Sequence, residues 1–229
     1  MRKAIMVYGP PGAGKGTQAN LLASRLGLIH FDTGKYLEQV VHDPEKRNDP
    51  KIDEERVNFD TGKLLDPMWV YKIVKERTEQ IAKSGFGIIF SGSPRTMLEA
   101  FSAENNKKGL VDELEKLFGK ENMIAILLNV RPETSIHRNS NRLICAECGT
   151  AVMYHEHQKP EFCPICGGLF RRRTLDVPEV IKVRLEEYQN RTAPIIIELK
   201  NRGYNIVEVD GEPLPYEVLK SILEKLNFQ

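Results

Sequence analysis

The sequence predicts an α/β fold, a five-stranded parallel sheet flanked by helices and interrupted by two inserted segments. Three observations carry this. Short apolar runs alternate with amphipathic stretches along most of the 229 residues, the pattern of buried parallel strands joined by helices. The first apolar run opens into a glycine-rich turn that ends in Gly14-Lys15. The alternation then fails at residues 143–175, where two Cys-x-x-Cys pairs stand among few aliphatic residues.

The elements follow in order. Ala4 to Tyr8 is apolar and stopped by Gly9, which reads as a fully buried strand. A helix over Thr17 to Leu26 carries apolar residues at 21, 22 and 26 and closes on Gly27, a natural residue after a helix end. Leu28 to Phe31 is a second strand, and Thr33 is expected to cap a helix reaching about Val41. Residues 42–51 are charged, contain Pro44 and Pro50, and read as a surface loop before a short polar helix over Ile52 to Asp60. Pro67 to Ser84 is a longer helix with Asp66 as N-cap and Pro67 at its first position. Gly87 to Ser91 is a third strand. Leu98 to Phe118 is helical with interruptions at Asn105-Asn106 and Gly109. Met123 to Val130 is a fourth strand and Glu133 to Asn141 a helix. Val177 to Lys200 is the longest helical pattern, followed by a strand over Tyr204 to Val209 and a helix over Tyr216 to Leu226.

Composition narrows the function. Lys plus Arg is 33 and Asp plus Glu is 32, a net charge of +1, which argues against binding driven by a nucleic-acid backbone. No apolar run approaches a membrane span. The apolar stretch after Met1-Arg2-Lys3 is too short for a signal peptide. A soluble cytoplasmic enzyme is expected.

The turn after the first strand reads Gly9-Pro-Pro-Gly12-Ala13-Gly14-Lys15-Gly16-Thr17. This contains G-x-x-x-x-G-K, the core of a P-loop. Its glycines let successive backbone N–H groups converge on phosphate, the following helix adds its N-terminal donors, and Lys15 supplies a point charge. Gly16 stands where Ser or Thr is general, so Thr17 is the candidate for the magnesium side. The alternative is a plain strand-to-helix turn with a solvated lysine.

Gly9 to Gln18 resembles the phosphate loop of adenylate kinases, where glycine also follows the lysine. The resemblance runs along nearly the whole chain. Asp32-Thr33-Gly34 resembles the start of their monophosphate-binding helix, Thr61-Gly62-Lys63-Leu64-Leu65 their G-x-L-[VL] segment, and Gly92-Ser93-Pro94-Arg95-Thr96 their G-F-P-R-T motif. Arg138 and Arg142 stand where a helix enters the lid. Arg173 with Asp176, then Arg184 to Tyr188, resembles the return from it, and Asp210-Gly211 the loop that holds the adenine of ATP. The resemblance implies a P-loop NTPase fold with a core of residues 1–32, 63–142 and 176–229, a monophosphate-binding insertion at 33–62 and a lid at 143–175. It implies magnesium-dependent transfer of the γ-phosphate of ATP to a nucleoside monophosphate, first of all AMP, by a monomer. Thr33, Gly34, Lys35, Gly92, Arg95 and Glu99 would bind the monophosphate. Gly12 to Thr17, Arg138 and Gly211 would bind ATP. Lys15, Arg95, Arg142, Arg173 and Arg184 would be catalytic. A kinase for another monophosphate, and a nucleotide-binding protein whose catalysis has lapsed, are the competing readings.

Cys145-x2-Cys148 and Cys163-x2-Cys166 are fourteen residues apart, each pair followed by glycine. Four thiolates from two turns can close a tetrahedral zinc site, which leaves no open position and is therefore structural. Redox disulfides or free thiols are the alternatives. His155 and His157 lie between the pairs and read as loop residues. Among adenylate kinases, some long-lid members bind zinc through four cysteines.

The arginines suit phosphoryl transfer because a planar guanidinium binds phosphate oxygens in pairs. Arg95 follows the third strand at the carboxyl edge, where open α/β sheets bind ligands. Arg138 and Arg142 are four apart and expected on one helix face. Arg171 and Arg172 read as surface charges. Several positions depart from the family. The third strand ends in Ser91 where Asp is usual, Ser93 replaces Phe, Lys35 replaces Asp, Glu38 replaces Arg, and Glu99 replaces Gln. Asp32 is the candidate to replace the missing carboxylate. Glu38 is expected to pair with Lys35, and Glu99 to favour a base edge that donates hydrogen bonds, such as the adenine amino group.

Overall fold

The computed structural model describes residues 2–101, 108–153, 160–172 and 174–227. In chain order the elements are β1 (Ala4–Tyr8), α1 (Lys15–Leu26), β2 (Leu28–Phe31), α2 (Thr33–Val41), α3 (Pro50–Asp60), α4 (Pro67–Lys83), β3 (Gly87–Phe90), α5 (Met97–Phe101) and α6 (Leu110–Phe118). There follow β4 (Met123–Asn129), α7 (Pro132–Ser140), β5 (Arg142–Cys145), β6 (Ala151–Met153), β7 (Phe170–Arg171), α8 (Pro178–Glu187), α9 (Ala193–Asn201), β8 (Asn205–Asp210) and α10 (Pro215–Lys225).

The five apolar runs form one parallel sheet in the order β2-β3-β1-β4-β8. Side chains alternate across a strand, so a run that is apolar throughout must be covered on both faces. Ala4, Met6 and Tyr8 of β1 join Ile88, Phe90, Met123 and Ala125 in one core, closed by Val74 of α4, Leu114 of α6 and Leu199 of α9. Ile5 and Val7 join Ile89, Ile124, Ile126 and Leu128 in the other, closed by Leu22 of α1 and Val218 and Ile222 of α10. The chain leaves β1 toward β2 and β3 on one side and crosses to β4 and β8 on the other. The carboxyl end of β1 is thus the switch point at which such sheets leave a crevice. A second, antiparallel sheet, β6-β5-β7, carries the cysteine segment. Among the described residues no helix is long and apolar enough to cross a membrane.

Some boundaries differ from expectation, each for a local reason. Asp32, not Thr33, caps α2: its Oδ1 accepts the Lys35 N–H at 3.1 Å while Thr33 is 1% exposed. Helix α3 starts at Pro50 because Asp49 caps it, repeating the Asp66-Pro67 arrangement of α4. Helix α7 ends at Ser140, so Arg142 is not on its face with Arg138 but opens β5. The long pattern over 177–200 is divided by a π-helical turn at Tyr188–Thr192. Pro194, without an N–H, is the second residue beyond that turn.

Candidate active site

The crevice at the switch point is a cleft of about 1010 Å³, at the upper end for a single ligand. The glycine-rich loop forms its floor. Gly14 and Gly16 have open space where a Cβ would stand, which leaves their backbone approachable. Gly12 serves a different need. Its φ is +80°, and a Cβ there would lie 2.6 Å from Asn139 Nδ2 and 2.8 Å from Ser135 O. Asn139 and Ser135 are fully buried on α7, and the Ser135 hydroxyl donates to Pro11 O. The loop is therefore braced from behind by α7. Lys15 turns its ammonium back to Gly9 O at 2.8 Å and Pro10 O at 2.9 Å. Burial, then the positive charges of Arg95, Arg184 and Arg142, hold its pKa well below the ordinary lysine range, against the opposing pull of Asp32. Four cations from four parts of the chain thus share one enclosed space.

The cations are placed by specific contacts. Arg142 donates from Nε to Asp176 Oδ2 at 2.9 Å and from Nη2 to Oδ1 of the same carboxylate. Arg184 Nη1 stands 3.6 Å from Asp176 Oδ1 and donates to Leu175 O at 3.2 Å. Asp176 is 3% exposed and holds both guanidiniums at the cleft. Arg138 donates to Gly211 O at 2.7 Å and Glu212 O at 2.8 Å, so it fastens the loop after β8 to α7. Arg95 Nη2 would lie 3.2 Å from a Cβ on Gly92 and 3.7 Å from one on Gly34. These two glycines let the guanidinium lie between β3 and the start of α2. The backbone carbonyl of Arg95 accepts from Thr192 Oγ1 at 2.8 Å.

Of the residues expected from sequence, Gly12 to Thr17, Gly34, Lys35, Gly92, Arg95, Glu99, Arg138, Arg142, Arg184 and Gly211 line this cleft. Thr33 lies behind the wall, its hydroxyl buried without a partner. Arg173, His155 and His157 lie outside the described residues. Arg171, read from sequence as a surface charge, also reaches the cleft: its Nη1 is 3.9 Å from Glu38 Oε1. Lys35 Nζ instead lies against the Gly149 turn, 3.2 Å from where a Cβ would stand. Sequence reading also passed over Thr192, Ser135 and Asn139. Ser135 and Thr192 touch the backbone of the site, while Asn139 Oδ1 accepts from Arg142 Nη2 at 3.1 Å, and the signal closest to any of them was Pro194 beside the π turn. At the strand ends, His30 Nε2 bonds Ser91 Oγ at 2.8 Å and its Nδ1 bonds Asn20 Oδ1 at 2.5 Å. Burial lowers the His30 pKa, opposed by Asp32.

The sulfur atoms of Cys145, Cys148, Cys163 and Cys166 lie within 4.8 Å of one another. Cys145 to Cys166 is 3.5 Å and Cys148 to Cys163 is 3.7 Å, close to the ~3.8 Å edge of a tetrahedron built on Zn–S bonds of ~2.3 Å. Gly149 and Gly167, at φ of +71° and +74°, close the two knuckle turns onto Cys145 O and Cys163 O. The donor set and its spacing fit one zinc ion with no position left for substrate.

The comparisons with known proteins agree with this geometry. The family model for adenylate kinase matches residues 7–204. An adenylate kinase of Caldicellulosiruptor saccharolyticus is 34% identical over 98% of this chain and 99% of its own. One from Chlamydia pneumoniae is 32% identical over 96% and 95%, and one from Chlamydia trachomatis serovar D 31% over 97% and 89%. With a phosphate loop, a convergence of cations and a four-cysteine group in the chain these comparisons match, the chain belongs to the adenylate kinase family and is a nucleoside monophosphate kinase.

Proposed function

We propose that the chain transfers the γ-phosphoryl group of ATP to AMP, reversibly, giving two ADP. The observation that carries this is the enclosure of Lys15, Arg95, Arg142 and Arg184 around one space, with the phosphate loop at one side and the Arg95–Glu99 segment at the other. Two anionic nucleotides repel each other, and positioned cations both align them and take up the charge that develops in transfer. ATP lies along Gly12 to Thr17, with its base beside Gly211 held by Arg138. The acceptor phosphate lies at Arg95, near Lys35 and Gly34, with its base toward Glu99. An oxygen of that phosphate attacks the γ-phosphorus, the bond from the γ-phosphorus to the β–γ bridging oxygen breaks, and that oxygen remains on the departing ADP. Lys15, Arg142 and Arg184 hold the transferring group, with Arg173 on the same returning segment. Magnesium bound with ATP supplies further charge neutralisation, and the oxygen donors present for its shell are Thr17 and Asp32. Residues 33–62 and 143–175 cover the acceptor and donor phosphates and exclude water, the second stiffened by zinc. A cytoplasmic monomer is the setting this reading takes, on the resemblance to the family.

A coupled assay for ADP formation with ATP, magnesium and each of AMP, GMP, CMP, UMP and dTMP tests the assignment. Turnover with AMP well above the others is expected. A kinase for another monophosphate is the second reading, favoured by the carboxylate at Glu99, and the same panel decides it. No transfer to any acceptor would refute both.

A further inference from the structure

The cysteine-bearing sheet meets helix α2 through a pair of opposite charges. Gly34 and Glu38 are four residues apart on α2, so they share one face, ~6 Å apart along its axis. Both line the cleft. Arg95 Nη2 lies 3.7 Å from where a Cβ on Gly34 would stand. An acceptor phosphate held by Arg95 is therefore one helical turn from the Glu38 carboxylate, where the family pattern has an arginine. Across the cleft, Arg171 Nη1 stands 3.9 Å from Glu38 Oε1. Arg171 is not on a loose loop. It belongs to β7, opposite Ile144 of β5, and its neighbour Phe170 stands opposite Cys145. The sheet β6-β5-β7 shares no strand with the five-stranded sheet. The cation is thus carried by a different unit from the helix that carries the anion.

We propose that Glu38 and Arg171 form a gate that makes acceptor binding conditional on the donor. With the lid away from α2, the Glu38 carboxylate repels the acceptor phosphate. A donor nucleotide that draws the lid down sets Arg171 against Glu38 and cancels that repulsion. This rests on the proposed transfer between two nucleotides and adds the order in which they bind, donor before acceptor.

The charges act over the right range. One helical turn is shorter than the ~8 Å screening length at physiological ionic strength, so the phosphate feels the carboxylate. Lys35, the other charge at the start of α2, turns its ammonium to the Gly149 turn of the same cysteine-bearing segment, so α2 presents both an anion and a cation to it. A ligand moves such an equilibrium only as far as it binds one state better. The donor phosphates have that preference, because the cations that receive them stand at the two crossings into the lid. Arg142 opens β5, which enters it, and Asp176, which holds Arg142 and Arg184, follows β7, which leaves it. The arginine of the family pattern would attract the phosphate whatever the lid does. The carboxylate makes the attraction depend on where the lid is.

The test is calorimetric binding of AMP to the full chain, alone and with saturating magnesium and the β,γ-methylene analogue of ATP, which cannot transfer its γ-phosphate. The coupling factor is the ratio of the two dissociation constants. Partly exposed charges such as these act by up to about fivefold. Wild type should bind AMP at least threefold tighter with the analogue, and AMP should tighten the analogue by the same factor. Glu38→Gln should bind AMP several-fold tighter without the analogue and lose about three- to fivefold of the coupling. Arg171→Ala should lose as much, but by weaker binding with the analogue present. Coupling through other lid groups is common to these proteins and cancels in the comparison. The reversed pair, Glu38→Arg with Arg171→Glu, keeps an ion pair but attracts AMP when the lid is away, so its coupling factor should fall about tenfold below wild type. A pair that merely latched the lid to α2 would keep the wild-type factor on reversal, and that result would overturn the gate. So would a wild-type factor within twofold of one, which needs no variant to fold, or no binding of AMP in either state. Transfer is assayed separately. Coupling that reverses as expected without phosphorylation would support the gate while refuting the kinase reading. Phosphorylation with coupling that neither substitution alters would overturn the gate and leave that reading intact.

Discussion

Asp176→Asn removes one buried charge and leaves two. In the structure Asp176 is 3% exposed and faces Arg142 and Arg184, each 18% exposed. At 3.6 Å the Arg184 attraction alone is ~5 kcal/mol at an effective dielectric of ~20. Most of that offsets desolvation, but deleting one partner of a buried group leaves the others uncompensated, at about 3–5 kcal/mol. Asparagine keeps the volume and one acceptor, so the lower end, ~3 kcal/mol, applies. For a chain of this size 1 kcal/mol moves Tm by about 2–4 °C, so a fall of ~6–12 °C is expected by calorimetry or circular dichroism. A control at Glu198, whose pair with Arg202 is 2.7 Å long but 31% and 40% exposed, should change stability by less than ~1 kcal/mol. Saturating ATP should narrow the Asp176→Asn gap, because its phosphates give Arg142 and Arg184 new partners. A Tm within about 2 °C of wild type, or a gap that ATP leaves unchanged, would refute the reasoning that one carboxylate holds both arginines for the phosphates.

Three further outcomes follow from the site. Lys15→Ala should retain the fold but lose about 10³-fold or more in steady-state transfer, and near-normal turnover would remove the phosphate-loop assignment. Elemental analysis should find one zinc per chain, and Cys163→Ser should lower Tm more than it lowers turnover at low temperature. An unchanged melting curve would sink the structural-zinc reading. Because the Glu38–Arg171 pair is partly exposed and 3.9 Å long, its charges act on the phosphates by about 1 kcal/mol or less. Glu38→Gln should therefore lower the monophosphate KM a few-fold and Arg171→Ala should raise it, with steady-state kinetics as the check.

The fold was legible because periodicity reports burial directly. Each run that is apolar at every position, such as Ala4 to Tyr8 or Met123 to Leu128, became a strand covered on both faces. The cysteine spacing likewise placed four sulfurs in one group, since two short loops closed by glycine leave them few other arrangements. What was not legible depends on position across the chain. Nothing near Arg171 in sequence signals that it meets Glu38, 133 residues earlier, and Arg171 and Arg172 read as solvated surface. Arg142 was assigned to a helix because spacing of four fits a helix, yet the chain turns at Asn141 and pairs Arg142 with Met153 instead. Gly12 was expected to approach phosphate. The requirement that the structure imposes is its contact with Asn139, which no local pattern encodes.

The departures from the family pattern gather on neighbouring strands, and this bears on how they compensate one another. Strands β2 and β3 pair in parallel with Phe31 opposite Phe90, so Asp32 and Ser91 are the next residues of adjacent strands. Asp32 therefore stands one strand spacing, ~4.8 Å, from Ser91. Asp32 and Thr17 both line the cleft, where they would offer oxygens to a magnesium ion bound with ATP. The capping bond of Asp32 to the Lys35 N–H fixes the position of the carboxylate. The charge is felt at the loop, since Asp32 pulls the Lys15 pKa upward. Ser91 in turn is tied to His30, which burial keeps toward its neutral form, so no new cation enters where the carboxylate left.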